Sequence, residues 1–304
     1  MKTKNVFLII AIILLFITPS FSQVSVGYKT SPDDGEGKFK PEDIAALKNS
    51  TLVFILPGDA EASDIKAYEK AFKDSWKLTP YKVITDDQLK SLGGGKYTYI
   101  ILGGSEHTTA QGQNWTYCYY QFEMVNGKKE KIFAQIKVDR KYCFDKQAKG
   151  ETPFNLTPGY LKAYLNIINS HLEEEKILSI SDDFYANDLF KNLATETLYV
   201  PEENLHFISV NGGGKHKDFT EEQFFAKYPY PHKVASGKEI SDILLNSDKP
   251  IYFMGPPLHH KFHLIISIYS SQSPNPVYYD LNEVGALDDS SMKKIGEKIK
   301  KLNK

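Results

Sequence analysis

Hydrophobic and polar positions along this chain switch between a strand period and a helix period, and the switches come twice in the same order. "STLVFILP" (50–57) is a short apolar run stopped by Pro57-Gly58, the pattern of a buried strand. Residues 62–77 then set Ile65, Tyr68, Phe72 and Trp76 on one helical stripe, with lysines and acids opposite. "YKVIT" (81–85) predicts a second strand. "DDQLKSL" (86–92) predicts a short helix, opened by acids that suit a helix start and stopped by Gly93-Gly94-Gly95. "YTYIILGG" (97–104) predicts a third strand. Residues 115–143 then read as two strands joined near Asn126-Gly127, a common hairpin turn. Residues 157–172 predict a helix with Thr157 as cap and Pro158 in the first turn. Its apolar stripe is Leu161, Tyr164, Leu165, Ile168 and Leu172.

The second half runs through the same series. "TETLYVP" (195–201) matches the first strand, and 219–228 forms a helix with Thr220 and Gln223 in capping-box spacing. "HKVAS" (232–236) answers "YKVIT", "KEISDILL" (238–245) answers the second helix, and "PIYFMG" (250–255) answers the third strand. Residues 261–283 read as two strands around a turn. Residues 288–302 form a closing helix with Met292, Ile295, Ile299 and Leu302 on one face. Few identities support the match, chiefly Pro80/Pro231, Lys82/Lys233 and Val83/Val234. The shared order carries it instead. The expectation is an α/β protein of two tandem similar modules, each of order β-α-β-α-β-β-β-α and each a mixed sheet with packed helices, arising by internal duplication.

The ends set the outer boundaries. Lys2 and Lys4 precede an apolar run from Val6 to Ile17, and Ser20-Phe21-Ser22 supplies small residues where a signal peptidase cuts. Residues 1–22 are therefore expected to be a signal peptide, 23–40 a polar leader, 41–176 the first module and 177–304 the second. This implies an exported protein, periplasmic or secreted, with no transmembrane span once the signal is removed. Charge then narrows the partners. Of 37 Lys+Arg and 38 Asp+Glu, removal of Lys2 and Lys4 leaves 35 against 38, a net charge of −3. That argues against nucleic acid as a partner.

Export favours a disulfide between the two cysteines, Cys118 and Cys143. The predicted hairpin opposes it. Cys118 would face residues 135–137, leaving Cys143 roughly 20 Å away along the strand, where a bridge needs Cα atoms within about 7 Å. The pairing stays open at this point.

Histidines are the strongest candidates for chemistry. His259, His260 and His263 lie in "MGPPLHHKFHLIISIY". Read as a strand, positions 259 and 263 point the same way but lie roughly 13 Å apart, too far to share one metal ion unless the backbone turns at Leu258-His259-His260. Aligning "YIILGG" with "IYFMGP" sets His107 of "GGSEHTT" against His259, both beyond the carboxyl end of a third strand, where ligands of open α/β sheets bind. Glu106, His107, His259 and His260 are thus the expected ligand-binding residues, with no catalytic residue, no metal ligand and no cofactor assigned. The glycine runs lack phosphate-loop spacing, and no Gly-x-Ser-x-Gly elbow occurs.

The function expected is that of an exported soluble binding or envelope-assembly protein without catalytic activity. Its partner is an unidentified protein or small molecule. The hairpins bearing Tyr117, Tyr119, Tyr278 and Tyr279 are expected to offer the sheet edges for it. The alternative is a metal-assisted hydrolase using the histidines near the ends of the two third strands.

Overall fold

The computed structural model describes residues 24–27, 40–108, 114–126, 129–138, 156–178, 187–206, 218–260, 263–282 and 287–304. The fold is α/β, with two mixed sheets and packed helices. Residues 1–22 and Cys143 lie outside the described residues.

The first sheet contains β1 (Val24–Val26), β2 (Thr51–Leu56), β3 (Tyr81–Thr85), β4 (Tyr97–Thr108), β5 (Asn114–Asn126) and β6 (Lys129–Val138), in the order β1-β6-β5-β4-β2-β3. The helices α1 (Pro41–Lys48), α2 (Ala62–Ser75) and α3 (Pro158–Glu173) accompany it. The expected helix at 86–92 is a 3-10 segment, Asp86–Ser91, with no buried residue. The expected leader contains β1, whose Val24 and Val26 are fully buried and whose partners are Ile136 and Ala134 of β6.

The second sheet contains β7 (Leu198–Pro201), β8 (His232–Ala235), β9 (Tyr252–Met254), β10 (Leu258–His260), β11 (His263–Ser270) and β12 (Tyr278–Asn282). Its helices are the short α4 (Asn187–Phe190), α5 (Glu221–Phe225), α6 (Gly237–Asn246) and α7 (Asp289–Leu302). β9 and β10 lie in line on one flank of β11, and β12 lies on the other. Gly255-Pro256-Pro257 separates β9 from β10, because proline donates no ladder hydrogen bond. The three residues between Met254 and Leu258 therefore face two between Ile268 and Ile265.

Read across, the strand order is β6-β5-β4-β2-β3 in one sheet and β12-β11-(β9, β10)-β7-β8 in the other. The registers agree too. Val53 pairs with Lys82 and Tyr99, and Tyr199 pairs with Lys233 and Phe253. Leu52 N–H donates to Pro80 O at 2.9 Å, and Leu198 N–H donates to Pro231 O at 3.1 Å. The recurring Pro-x-Lys-Val thus occupies one structural position twice.

Helix α3 joins the two halves. Its burial runs all round: Tyr160, Leu161, Tyr164, Leu165, Ile167, Ile168 and Leu172 are inaccessible to solvent. Such a helix must be covered on every side. One side closes the sheet-1 core of Leu52, Phe54, Ile100, Phe122 and Ile136. The other meets α6 and the second sheet. Gly159 N–H donates to Ser241 Oγ at 2.9 Å, and Lys162 Nζ donates to Leu245 O at 3.1 Å. Tyr160 stands edge-on to Phe253 at 5.3 Å, and Tyr164 edge-on to Tyr269 at 5.6 Å. The opposite face of the second sheet forms a separate core of Leu198, Val200, Met254, Ile266 and Ile268, with Phe224 of α5 and Met292, Ile295 and Ile299 of α7.

Candidate functional site

The expected ligand residues lie on strands: β4 runs on past residue 104 through Glu106 and His107, and His259 and His260 belong to β10, a strand separate from β9. Glu106 and His107 lie near the end of β4, opposite Thr116 and Trp115 of β5. His259 and His260 form the end of β10, opposite Leu264 and His263. Leu258, His259 and His260 pair as an antiparallel strand with β11, so the backbone does not make the Leu258-His259-His260 turn that a shared metal would need. His107 and His259 also lose their expected correspondence. The register makes Tyr99 equivalent to Phe253, whereas the alignment matched it with Ile251, so the third strands slide by two residues. The offset is already present at Tyr99 and Phe253, ahead of Gly255-Pro256-Pro257. The four residues belong to two different sheets.

The tyrosine edges expected of the hairpins take another form. β5 is an interior strand flanked by β4 and β6, whereas β12 pairs only with β11 among the described residues; Tyr119, Tyr278 and Tyr279 themselves are buried. A different edge is open. β4 pairs with β2 only from Tyr97 to Ile100, while β5 follows it as far as Thr108. From Ile101 to Thr108, no strand among the described residues pairs with the second flank of β4. Leu102 on this segment is 37% exposed, one of two large apolar side chains exposed among the described residues, with Leu89.

Cys118 is buried in β5, opposite Gly104 on one side and Val138 on the other. The expected partner range ended at residue 137. A bulge between Phe122 and Glu123 moves the register one further.

The outer face of the first sheet carries polar residues that were not singled out from the sequence. Gln135 Nε2 donates to Gln121 Oε1 at 2.7 Å, and Glu123 adjoins on the same strand face. Glu123, Gln135 and Lys137 are all buried. Their alternation with Phe122, Ala134 and Ile136 reads as the solvated side of a strand, which hides the burial.

A cavity of about 300 Å³ opens at the amino end of the second sheet, away from the histidines. Its wall includes Asn192, Glu196, Thr197, Tyr199, Lys249 and Tyr252. Asn192 Nδ2 donates to Tyr252 OH at 3.1 Å, which fixes that ring.

Among the described residues, no group of three or more His, Cys, Asp or Glu is placed to hold a metal ion, and no helix is long and apolar enough to cross a membrane. Comparison with protein-family models, with curated proteins and with solved structures gives no match for this chain.

Proposed function

We propose that this chain is an exported binding protein, without catalytic activity of its own, which takes up an extended segment of a partner polypeptide along the open edge of β4. The carrying observation is the stretch from Ile101 to Thr108, which runs past the end of β2 with Leu102 exposed on it. An edge of this kind offers a row of backbone donors and acceptors, and an added strand supplies the partners. Alternate side chains then set specificity. Glu106 and His107 lie further along the same edge, and His259 and His260 hold the comparable end of the second sheet. With export, the partner belongs to the cell envelope or its exterior, and the protein acts in binding or assembly there.

The test is affinity capture of the native protein after mild crosslinking, with mass spectrometry of partners and crosslinked peptides. The wild-type protein is expected to bring down one partner in stoichiometric amount, with crosslinks mapping to 101–108. Leu102→Asp, a surface change, is expected to lose it. Recovery of the wild-type protein alone beside a working crosslinker control, or a partner fully retained by Leu102→Asp, refutes the reading.

A further inference from the structure

The cavity at the amino end of the second sheet has a counterpart in the first sheet, and the counterpart is shut. By register, Glu196 and Tyr252 correspond to Ser50 and Thr98. In the first sheet these two hydroxyls meet directly, Ser50 Oγ to Thr98 Oγ1 at 2.9 Å, in a buried contact. Thr51 pairs with Tyr97 there and its N–H donates to Lys96 O at 2.9 Å, so strands β2 and β4 zip from their first residues. In the second sheet the pairing starts one residue later, at Leu198↔Tyr252. Larger side chains replace the hydroxyl pair, and the ladder opens into the cavity.

The lining is chemically particular. Glu196 brings a carboxylate and Lys249 an ammonium group, and neither forms an ion pair with any described residue. Thr197 and Tyr199 add two hydroxyls, and Tyr199 an aromatic wall. The frame is rigid. Ser247 Oγ accepts from Lys249 N–H at 3.1 Å, Ser247 N–H closes α6 on Ile243 O at 2.9 Å, and Glu196 N–H donates to Asn192 O at 2.8 Å. Two opposite charges on separate turns, both lining one concavity, suit a ligand that carries both charges itself. Its groups replace water on each, and its body lies on the aromatic wall.

We infer that this cavity binds a small zwitterion of the free α-amino acid class, with the ligand carboxylate on Lys249, its ammonium on Glu196 and its side chain against Tyr199. This goes beyond the edge-binding role of β4 and does not depend on it.

The experiment is titration calorimetry of the mature protein with single free L-amino acids. Glucose, acetate and methylammonium serve as neutral and singly charged controls. At least one amino acid is expected to saturate the protein in or below the millimolar range. Its N-acetyl and amide derivatives, and the variants Glu196→Gln and Lys249→Met, are each expected to weaken binding at least about tenfold. Both residues are exposed, so these variants keep the fold, and Leu102→Asp is expected to leave the affinity unchanged. Absence of saturation by every amino acid, equal binding of glucose, or affinity indifferent to both variants overturns the inference.

Discussion

The two sheets share strand order and register, yet the same face of each meets a different fate. In the second sheet, Phe253 and Tyr269 stack at 5.5 Å and are sealed by Tyr160 and Tyr164 of α3. In the first sheet, the equivalent pair is Tyr99 opposite Glu123, continued by Gln121 and Gln135. One face is built for a helix from the other module, and its twin is built from polar groups. Topology sets where strands lie. The residue type at alternate positions decides what covers them.

The sharpest way to break this comparison is to cut the same position twice. Phe253→Ala removes a fully buried ring between two modules, and a loss of about 3–5 kcal/mol is expected. Tyr99→Ala, on the half-buried twin face, is expected to cost about 1–2 kcal/mol. Urea unfolding of both variants measures the difference, and equal losses would mean that the two faces are energetically alike.

Glycines offer a second contrast. A Cβ on Gly159 would lie 1.9 Å from Ser241 O, a backbone atom of α6. Gly159→Ala is therefore expected to push α3 off α6 and to cost about 3 kcal/mol. At Gly296 of α7 the nearest atom would be Pro229 Cδ at 3.4 Å. There the gain in helix propensity offsets the crowding, and Gly296→Ala is expected to stay within about 1 kcal/mol of the wild type. Thermal unfolding of the pair shows whether the junction between modules is the tighter seam.

Within the first module, Asn169 Oδ1 accepts from Lys77 N–H at 2.8 Å and Leu78 N–H at 3.0 Å, tying α3 to the end of α2. Asn169→Ala leaves two amides without their acceptor, and about 1–3 kcal/mol is the expected loss in denaturant titration.

The smallest effect is a pH dependence at the far end of α3. His171 is buried, with Nδ1 2.9 Å from Ile167 O and with Glu174 and Lys176 nearby. Burial holds its pKa below the ordinary histidine value. The unfolded chain binds the proton first. Stability is therefore full above about pH 6.5 and falls as pH drops from there toward the lower folded value. His171→Gln is expected to flatten that slope when unfolding free energy is measured across the interval. An unchanged slope would assign the acid sensitivity elsewhere.

Much of this fold was readable in advance, for identifiable reasons. The Lys-Val pair at 82–83 and 233–234 marks the same strand because parallel pairing locks its register against Val53 and Tyr199. The stripe Leu161-Tyr164-Leu165-Ile168 marked α3 as a core helix, but its Tyr164 packs on Tyr269 of the second sheet. The second side of α3, with Gly159 and Tyr160, has no meaning until the chain some eighty residues on is placed against it. "VSV" at 24–26 is too short for periodicity to register as a strand. The candidate site was less legible. The two-residue offset between the third strands, set by pairing with Val53 and Tyr199, broke the correspondence of His107 with His259. The cavity depends on Glu196 and Lys249, two ordinary surface residues in sequence that long-range folding brings to one hollow.

The double duty of α3 has a consequence for synthesis of the chain. Sheet 1 and α3 are complete when residue 173 has been made, but the seat for Gly159 is Ser241, 82 residues later. During that interval Tyr160 and Tyr164 stand without their cover, and the first module leaves the ribosome with an unfinished apolar flank. Conversely, a fragment begun at residue 177 would expose Phe253 and Tyr269. The halves are alike in plan, yet the cover of one flank of α3 comes only from the later half of the chain.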